Sequence, residues 1–360
     1  MPRDRFLEQE RRLIVPAPEP VVEIAGRPVG LGQPCYVIAE VGSNHNRDLR
    51  QAKRLIAESA AAGADAVKFQ AFRAERIAAP VLVSEQFGRL DDFYRPGELP
   101  REWLAELAAC CREHGVTFLC TPFDEEAAQQ LDDLGIAAFK IASYELTHLP
   151  LLRFSAAFGK PMILSTGMAL LGEVEAAVQA VLETGNRQIV LLHCVSNYPP
   201  QPEDLNLRAI ETLHRAFGAP VGYSDHSAPD EPEVPVAAVA LGACMLEKHI
   251  TLDRRLEGAD HPNAMELDEF AALVAAIRRV ERALGHGLKR PAPAELAERW
   301  ARRSLYASRD VPAGTVLREE DVRILRPCEG LPPGELPAVV GRRTKRALRA
   351  FEPLTHDALE

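Results

Sequence analysis

A (β/α)8 barrel followed by a small, mostly β domain is the α/β architecture that three features of this sequence predict. Apolar runs of about five residues alternate with segments of 3.6-residue, helical periodicity. Eight such units fill roughly 250 residues, the length of a closed barrel. The rhythm then breaks at Gly-His-Gly-Leu-Lys-Arg-Pro-Ala-Pro (285–293), and short apolar runs with Pro/Gly turns take over. A doubly wound open sheet is the competing architecture. It usually has fewer strands, and Val-Gly-Ser-Asn-His-Asn (41–46) after the first strand is not the Gly-rich turn of a dinucleotide site.

In chain order, residues 1–20 are polar and contain Pro16, Pro18 and Pro20, the composition of a loose arm. Residues 21–34 read as a hairpin, with glycines where turns need them, placed to plug the bottom of the barrel. Together these two segments, 1–34, precede a barrel at 35–286. Strands are expected at 36–41, 66–70, 116–120, 138–142, 162–165, 189–194, 221–224 and 244–249. Amphipathic helices fall between them. Residues 173–182 put Val174, Val178, Val181 and Leu182 on one face, and 267–284 do so with Phe270, Leu273, Val274, Ile277 and Leu284. A linker at 287–303, with a short helix at 294–303, leads to a β-rich domain at 304–360.

The chain of 360 residues carries 42 basic and 52 acidic side chains, a net charge of -10. Without clustered Lys/Arg, no nucleic-acid footprint is expected, and any anion site must be assembled locally. Seven cysteines lack C-x-x-C spacing and mostly sit inside apolar runs, as reduced thiols do. The amino terminus has no apolar signal core, and the longest apolar stretch, 234–246, is too short to span a bilayer. A cytoplasmic enzyme is the expectation.

Active sites of such barrels form at the carboxyl ends of the strands. His226 and His249 each follow an apolar or β-branched run and precede a break in pattern, which puts two imidazoles on one rim. Taken alone, they fit two hydrogen-bonded rim histidines as well as two ligands of one cation. The other strand ends deliver Glu40; Lys68 and Gln70; Thr121; Lys140, Ser143 and Glu145; Ser165; Ser196 and Tyr198; and Ser224 and Glu247, with Asp260 in the next loop. Lysines with serine hydroxyls and helix-start amides suit a phosphate plus a carboxylate. Two histidines leave coordination positions open, which suits a metal that polarises a carbonyl.

These residues, in this order, resemble the N-acetylneuraminate (sialic acid) synthase family, which includes legionaminate and spore-coat polysaccharide synthases. The matching segments include Ile-Ala-Glu-Val-Gly-Ser-Asn-His-Asn (38–46), Val-Lys-Phe-Gln (67–70), Thr-Pro-Phe-Asp (121–124), Lys-Ile-Ala-Ser-Tyr-Glu (140–145), Gly-Tyr-Ser-Asp-His (222–226) and Glu-Lys-His (247–249). The segments Arg-Ser-Leu-Tyr-Ala (303–307) and Arg326-Pro327 are similar to the family's appended SAF, antifreeze-like domain. The resemblance implies condensation of phosphoenolpyruvate with an N-acetylmannosamine-type sugar, with release of phosphate. It implies that Lys68, Thr121, Lys140, Ser143, Ser165, Ser196 and Ser224 hold phosphoenolpyruvate, and that His226 and His249 bind a divalent ion, Mn2+. It further implies that Gln70, Glu145, Tyr198 and Asp260 bind the sugar, with Glu40, Lys68, Lys140 and Glu145 catalytic. Arg326 would reach the sugar from the partner chain of a homodimer with exchanged C-terminal domains.

The chain departs from the family pattern at Asn46-Arg47, where Asn-Gly is usual, at Ser196-Asn197, at Cys328-Glu329, and in a Pro-rich insert at 228–235. Three other readings compete. One keeps the chemistry but takes a 2,4-diacetamido-trideoxy hexose and forms N,N'-diacetyllegionaminate. Another is a class I aldolase with Lys140 or Lys68 as Schiff base. The third is a non-catalytic sugar-binding protein, which would leave the polar rim without a use.

Overall fold

The computed structural model describes residues 17–79, 83, 84 and 88–360. Most of the expected loose arm, residues 1–16, lies outside them. The described chain divides into two compact units, the first ending at Gly285 and the second spanning 286–360.

Within the first unit, eight parallel strands close on themselves among the described residues. They are β1 (Tyr36–Gly42), β2 (Ala66–Ala71), β3 (Thr117–Pro122), β4 (Phe139–Ile141), β5 (Met162–Ser165), β6 (Ile189–His193), β7 (Val221–Asp225) and β8 (Met245–Thr251). Each pairs with its sequence neighbour, and β8 pairs with β1, His249 standing opposite Glu40. Eight helices follow the strands in turn: α1 (Leu49–Ala61), α2 (Leu104–Glu113), α3 (Glu125–Asp133), α4 (Leu149–Ala156), α5 (Leu171–Leu182), α6 (Ala209–Phe217), α7 (Glu233–Ala240) and α8 (Leu267–Leu284). Two of their starts carry aspartate caps. The Asp48 side chain accepts from the Arg50 N–H at the head of α1, and that of Asp124 accepts from the Ala127 N–H at the head of α3.

Side-chain alternation along the strands sorts the barrel into layers. Outward residues such as Val37, Val67 and Leu164 pack with α1–α8 in the main core. Inward residues near the strand starts form a second apolar cluster: Tyr36, Ile38, Ala66, Leu119, Ala138, Ile163 and Met245. The hairpin Val21–Ile24/Arg27–Gly30 contributes Val22, Ile24 and Val29 to this cluster and so plugs the barrel's bottom. Two residues further along six of the strands, the inward position turns polar: Glu40, Lys68, Thr121, Lys140, Ser165 and Glu247, all buried. That change of character at constant strand phase makes the top of the barrel a chemical site.

The second unit holds an antiparallel pair, β9 (Ser304–Ala307) and β10 (Val322–Leu325), with isolated bridges such as Val311–Leu348 over a small core of its own. The helix expected at 294–303 is a 3₁₀ run, Pro293–Ala301, with no buried residue. Its Leu296 and Trp300 are exposed, so packing within the chain does not stabilise a full α-helix there. Among the described residues, no helix is long and apolar enough to cross a membrane.

Candidate active site

Neighbouring strands bring their polar ends together because parallel registry stacks the inward residues. Glu40 faces Lys68 across β1/β2, Gln70 faces Thr121 across β2/β3, and Ser224 faces Glu247 across β7/β8. The result is a cavity of about 350 Å³ lined by Lys68, Gln70, Thr121, Lys140, Ser143, Glu145, Ser165, Ser196, Tyr198, Ser224, His226, Glu247 and His249. Twelve of the fifteen residues singled out from the sequence are in this set. The other three are Glu40, which lies behind Lys68 and Gln70, Asp260, which is bound to His249, and Arg326, which is exposed in the C-terminal unit.

Four buried charges organise the floor. Lys68 Nζ lies 2.8 Å from Glu40 Oε2 and 3.6 Å from Glu247 Oε2, and Lys140 Nζ lies 3.3 Å from Glu247 Oε1. Burial disfavours protonated Lys68, but Glu247 and Glu40 outweigh it and raise its pKa; at Lys140 burial prevails and the pKa falls. Burial would also push the Glu247 carboxyl up, yet Lys140 and Lys68 hold it well below the usual range. Glu247 had no role assigned from sequence, although its i, i+2 spacing from His249 marks it as an inward neighbour.

Beside the lysines stand hydroxyls. The Gly167 N–H donates to Ser143 Oγ at 3.1 Å, and Ser224 Oγ donates to Glu247 Oε1 at 3.0 Å. A Cβ on Gly167 would come within 2.3 Å of Ser196 Oγ and 2.8 Å of Ser143 Oγ, so only glycine lets this backbone enter the cup. The buried atoms Ser165 Oγ, Ser196 Oγ and Glu145 Oε2 have no hydrogen-bond partner among the described residues. Buried polar atoms are rarely left so, and these three are aligned for a ligand. Burial pushes the Glu145 carboxyl up to about 7.

The two imidazoles meet on the same mouth, with ring centroids 5.5 Å apart. His226 Nδ1 is 2.6 Å from the Val195 carbonyl, which only accepts, so the proton sits on Nδ1 and Nε2 carries a lone pair. The Tyr198 hydroxyl, 3.2 Å away, donates to it. His249 Nδ1 donates to Asp260 Oδ2 at 2.9 Å, which leaves its Nε2 for another partner. Asp260 reaches this position because Gly42 has φ of 55° and no side chain; a Cβ there would meet the carboxylate at 2.4 Å. Two histidines with Nδ1 tied to oxygen acceptors could hold a metal through Nε2, that of His226 in place of the Tyr198 hydroxyl. Among the described residues no cluster of three or more His, Cys, Asp or Glu is arranged to hold a metal, so two imidazoles are what the protein offers.

An aromatic wall completes the cavity. Phe72 stacks edge-on against Tyr94 and Phe123, at 6.0 and 5.6 Å, and Ile77 joins them. Tyr94 and Ile77 come from the long segment between β2 and α2, where no motif in the sequence marks them as site residues.

Residues 55–289 match the NeuB family and residues 302–360 the SAF domain. The N,N'-diacetyllegionaminic acid synthase of Legionella pneumophila is 39% identical over 93% of this chain and 97% of its own. The spore coat polysaccharide biosynthesis protein SpsE of Bacillus subtilis is 40% identical over 85% of this chain and 87% of its own. The crystal structure of the N-acetylneuraminic acid (sialic acid) synthetase of Leptospira borgpetersenii superposes with a TM-score of 0.71 at 36% identity, covering 78% of this chain and 95% of that one. The chain therefore belongs to the NeuB family, and it is a condensing enzyme of that family built on a (β/α)8 barrel joined to a SAF domain.

Proposed function

We propose that the chain condenses phosphoenolpyruvate with an N-acetylmannosamine-type sugar, releasing phosphate and forming a nine-carbon 2-keto acid. The observation that carries this reading is the juxtaposition, in one cavity, of two lysines and unpartnered hydroxyls with two imidazoles whose Nδ1 atoms are each held by an oxygen acceptor. Lys68, Thr121, Lys140, Ser143, Ser165, Ser196 and Ser224 hold the phosphate and carboxylate of phosphoenolpyruvate. Lys68 and Lys140 are already balanced by Glu40 and Glu247, so the arriving anion favours a cation at His226 and His249. A divalent ion there, Mn2+ in this reading, polarises the sugar's aldehyde when bound.

C3 of the enol then attacks the aldehyde carbon, forming the new C–C bond while positive charge develops at C2. The Glu40 carboxylate offsets that charge. Water adds to C2, and the bond from C2 to the phosphate oxygen breaks to release phosphate. Gln70, Glu145, Tyr198 and Asp260 orient the sugar, with Asp260 acting through His249. Glu145, poised at about 7, supplies the proton taken up by the new alkoxide.

The aromatic wall favours a second reading of the acceptor. Phe72, Ile77, Tyr94 and Phe123 offer apolar surface, and Lys68 and Lys140 are the only Lys or Arg among the described cavity-lining residues. A 2,4-diacetamido-trideoxy hexose, with a C6 methyl and a second acetamido group in place of hydroxyls, matches that wall better than N-acetylmannosamine. The enzyme is further proposed to be a homodimer in which the partner subunit's Arg326 reaches the sugar. Exposed Tyr144, Met168 and Leu170 on the loops after β4 and β5 supply apolar surface for such a cover.

Phosphate release from phosphoenolpyruvate, followed with Mn2+ across a panel of N-acylated hexoses, tests these readings. Turnover with an N-acyl mannosamine or its diacetamido-trideoxy analogue, abolished by EDTA and restored by Mn2+, is expected. Release without any acceptor, or borohydride trapping of a pyruvate adduct in place of release, would overturn the scheme.

A further inference from the structure

We propose that Lys248 and Asp225, which do not line the cavity, are positioning residues that set the geometry of the His226/His249 pair. They stand opposite each other in the parallel registry of β7 and β8, each one residue before a histidine. They share strand phase with Tyr223 and Leu246, which pack outward in the main core, so they point away from the mouth. Both are about 1% exposed.

A buried ion pair in that apolar layer is a weak source of stability, because desolvation offsets the Coulombic gain. Its geometry is specific instead. Lys248 Nζ donates to Asp225 Oδ2 at 2.7 Å and to the Ser227 carbonyl at 2.8 Å, while Asp225 Oδ1 accepts from the Ser227 N–H at 3.0 Å. Residues 225 and 227, on either side of His226, are thereby tied to residue 248, the neighbour of His249.

His226 needs this tie because β7 ends at Asp225, and no sheet registry holds the histidine. The segment that follows is the Pro-rich insert at 228–235, whose last three residues open α7. His249, by contrast, sits inside β8 and inherits its position from the ladder with β1. The Lys248–Asp225–Ser227 tie carries that fixed position over to His226. The inference rests on the proposed cation site.

The test compares the parent with Asp225→Asn/Lys248→Met, which removes both charges together and leaves no unpaired buried ion. Mn2+ affinity is read by electron paramagnetic resonance titration, phosphoenolpyruvate affinity by calorimetry without metal, and folding by circular dichroism. Loss of outer-shell support for a metal ligand costs about 10–100-fold in affinity. The expected result is a loss of that size for Mn2+ in a folded variant whose phosphoenolpyruvate affinity matches the parent's. A folded variant with parental Mn2+ affinity, or one that loses both affinities alike, overturns the inference while leaving the cation site standing. A parent that binds no Mn2+ overturns both. Should the double variant not fold, Asp225→Asn alone is read in the same way, and parental Mn2+ affinity there is again the overturning result.

Discussion

At the scale of single residues, the site depends on atoms that are absent as much as on those present. Gly42 leaves room for the Asp260 carboxylate and adopts a left-handed φ that alanine tolerates poorly. Gly42→Ala is expected to push Asp260 off His249, weakening Mn2+ binding about tenfold by the loss of a carboxylate–histidine contact. Titration of Mn2+ against the variant checks this; unchanged affinity would separate Asp260 from the metal. Glu145 gives a pH signature. Its folded pKa is raised by burial to about 7 from 4.5, so between those values the folded chain holds a proton that the unfolded chain releases. The stability present below about pH 4.5 is therefore lost as pH rises through 7, by about 1–2 kcal/mol once solvent in the cavity is allowed for. Urea unfolding at pH 5 and pH 8 should show the parent losing that much more than Glu145→Gln, and equal losses would refute the burial argument.

At the scale of elements, each barrel strand has two ends with different duties. The starts bury apolar residues with the hairpin, and the ends present charge and hydroxyls, so stability and chemistry are separable along one strand. Ile24 is fully buried in the bottom cluster. Ile24→Ala is expected to cost about 3 kcal/mol through the cavity it leaves. The KM values for both substrates should stay at the parental level. Chemical denaturation with parallel kinetics tests the separation, and a changed KM would show that the plug and the mouth are coupled.

At the scale of the whole molecule, the proposed exchange of C-terminal domains makes a sharp prediction. If the partner subunit's Arg326 completes each site, Arg326→Ala and His226→Ala chains are each inactive, but they complement when mixed. With one intact site in each mixed dimer, and half of the dimers mixed, about a quarter of parental activity should return after co-refolding. No recovery from dimers shown to have exchanged would mean that each chain supplies its own arginine or none. The net charge of -10 adds a condition. An anionic substrate meets an unfavourable overall field, so its capture depends on the few cations concentrated at the mouth.

What the sequence determined on its own was periodic. The alternation of five-residue apolar runs with helical segments specified the eight-stranded barrel, and inward positions such as Lys68 and Gln70 were legible because side-chain direction repeats every second residue. His226 was legible because it stands where a strand stops, whereas the expected stop at His249 is not one: β8 runs on to Thr251. The tertiary structure alone decided what has no sequence period. It set which partners the buried charges share, the pairing of Asp260 with His249 across a glycine, the outward tie of Lys248 to Asp225, and the aromatic wall from the segment after β2. Those contacts join residues from 11 to 179 positions apart, and their distances follow from barrel closure and register, which no local pattern encodes.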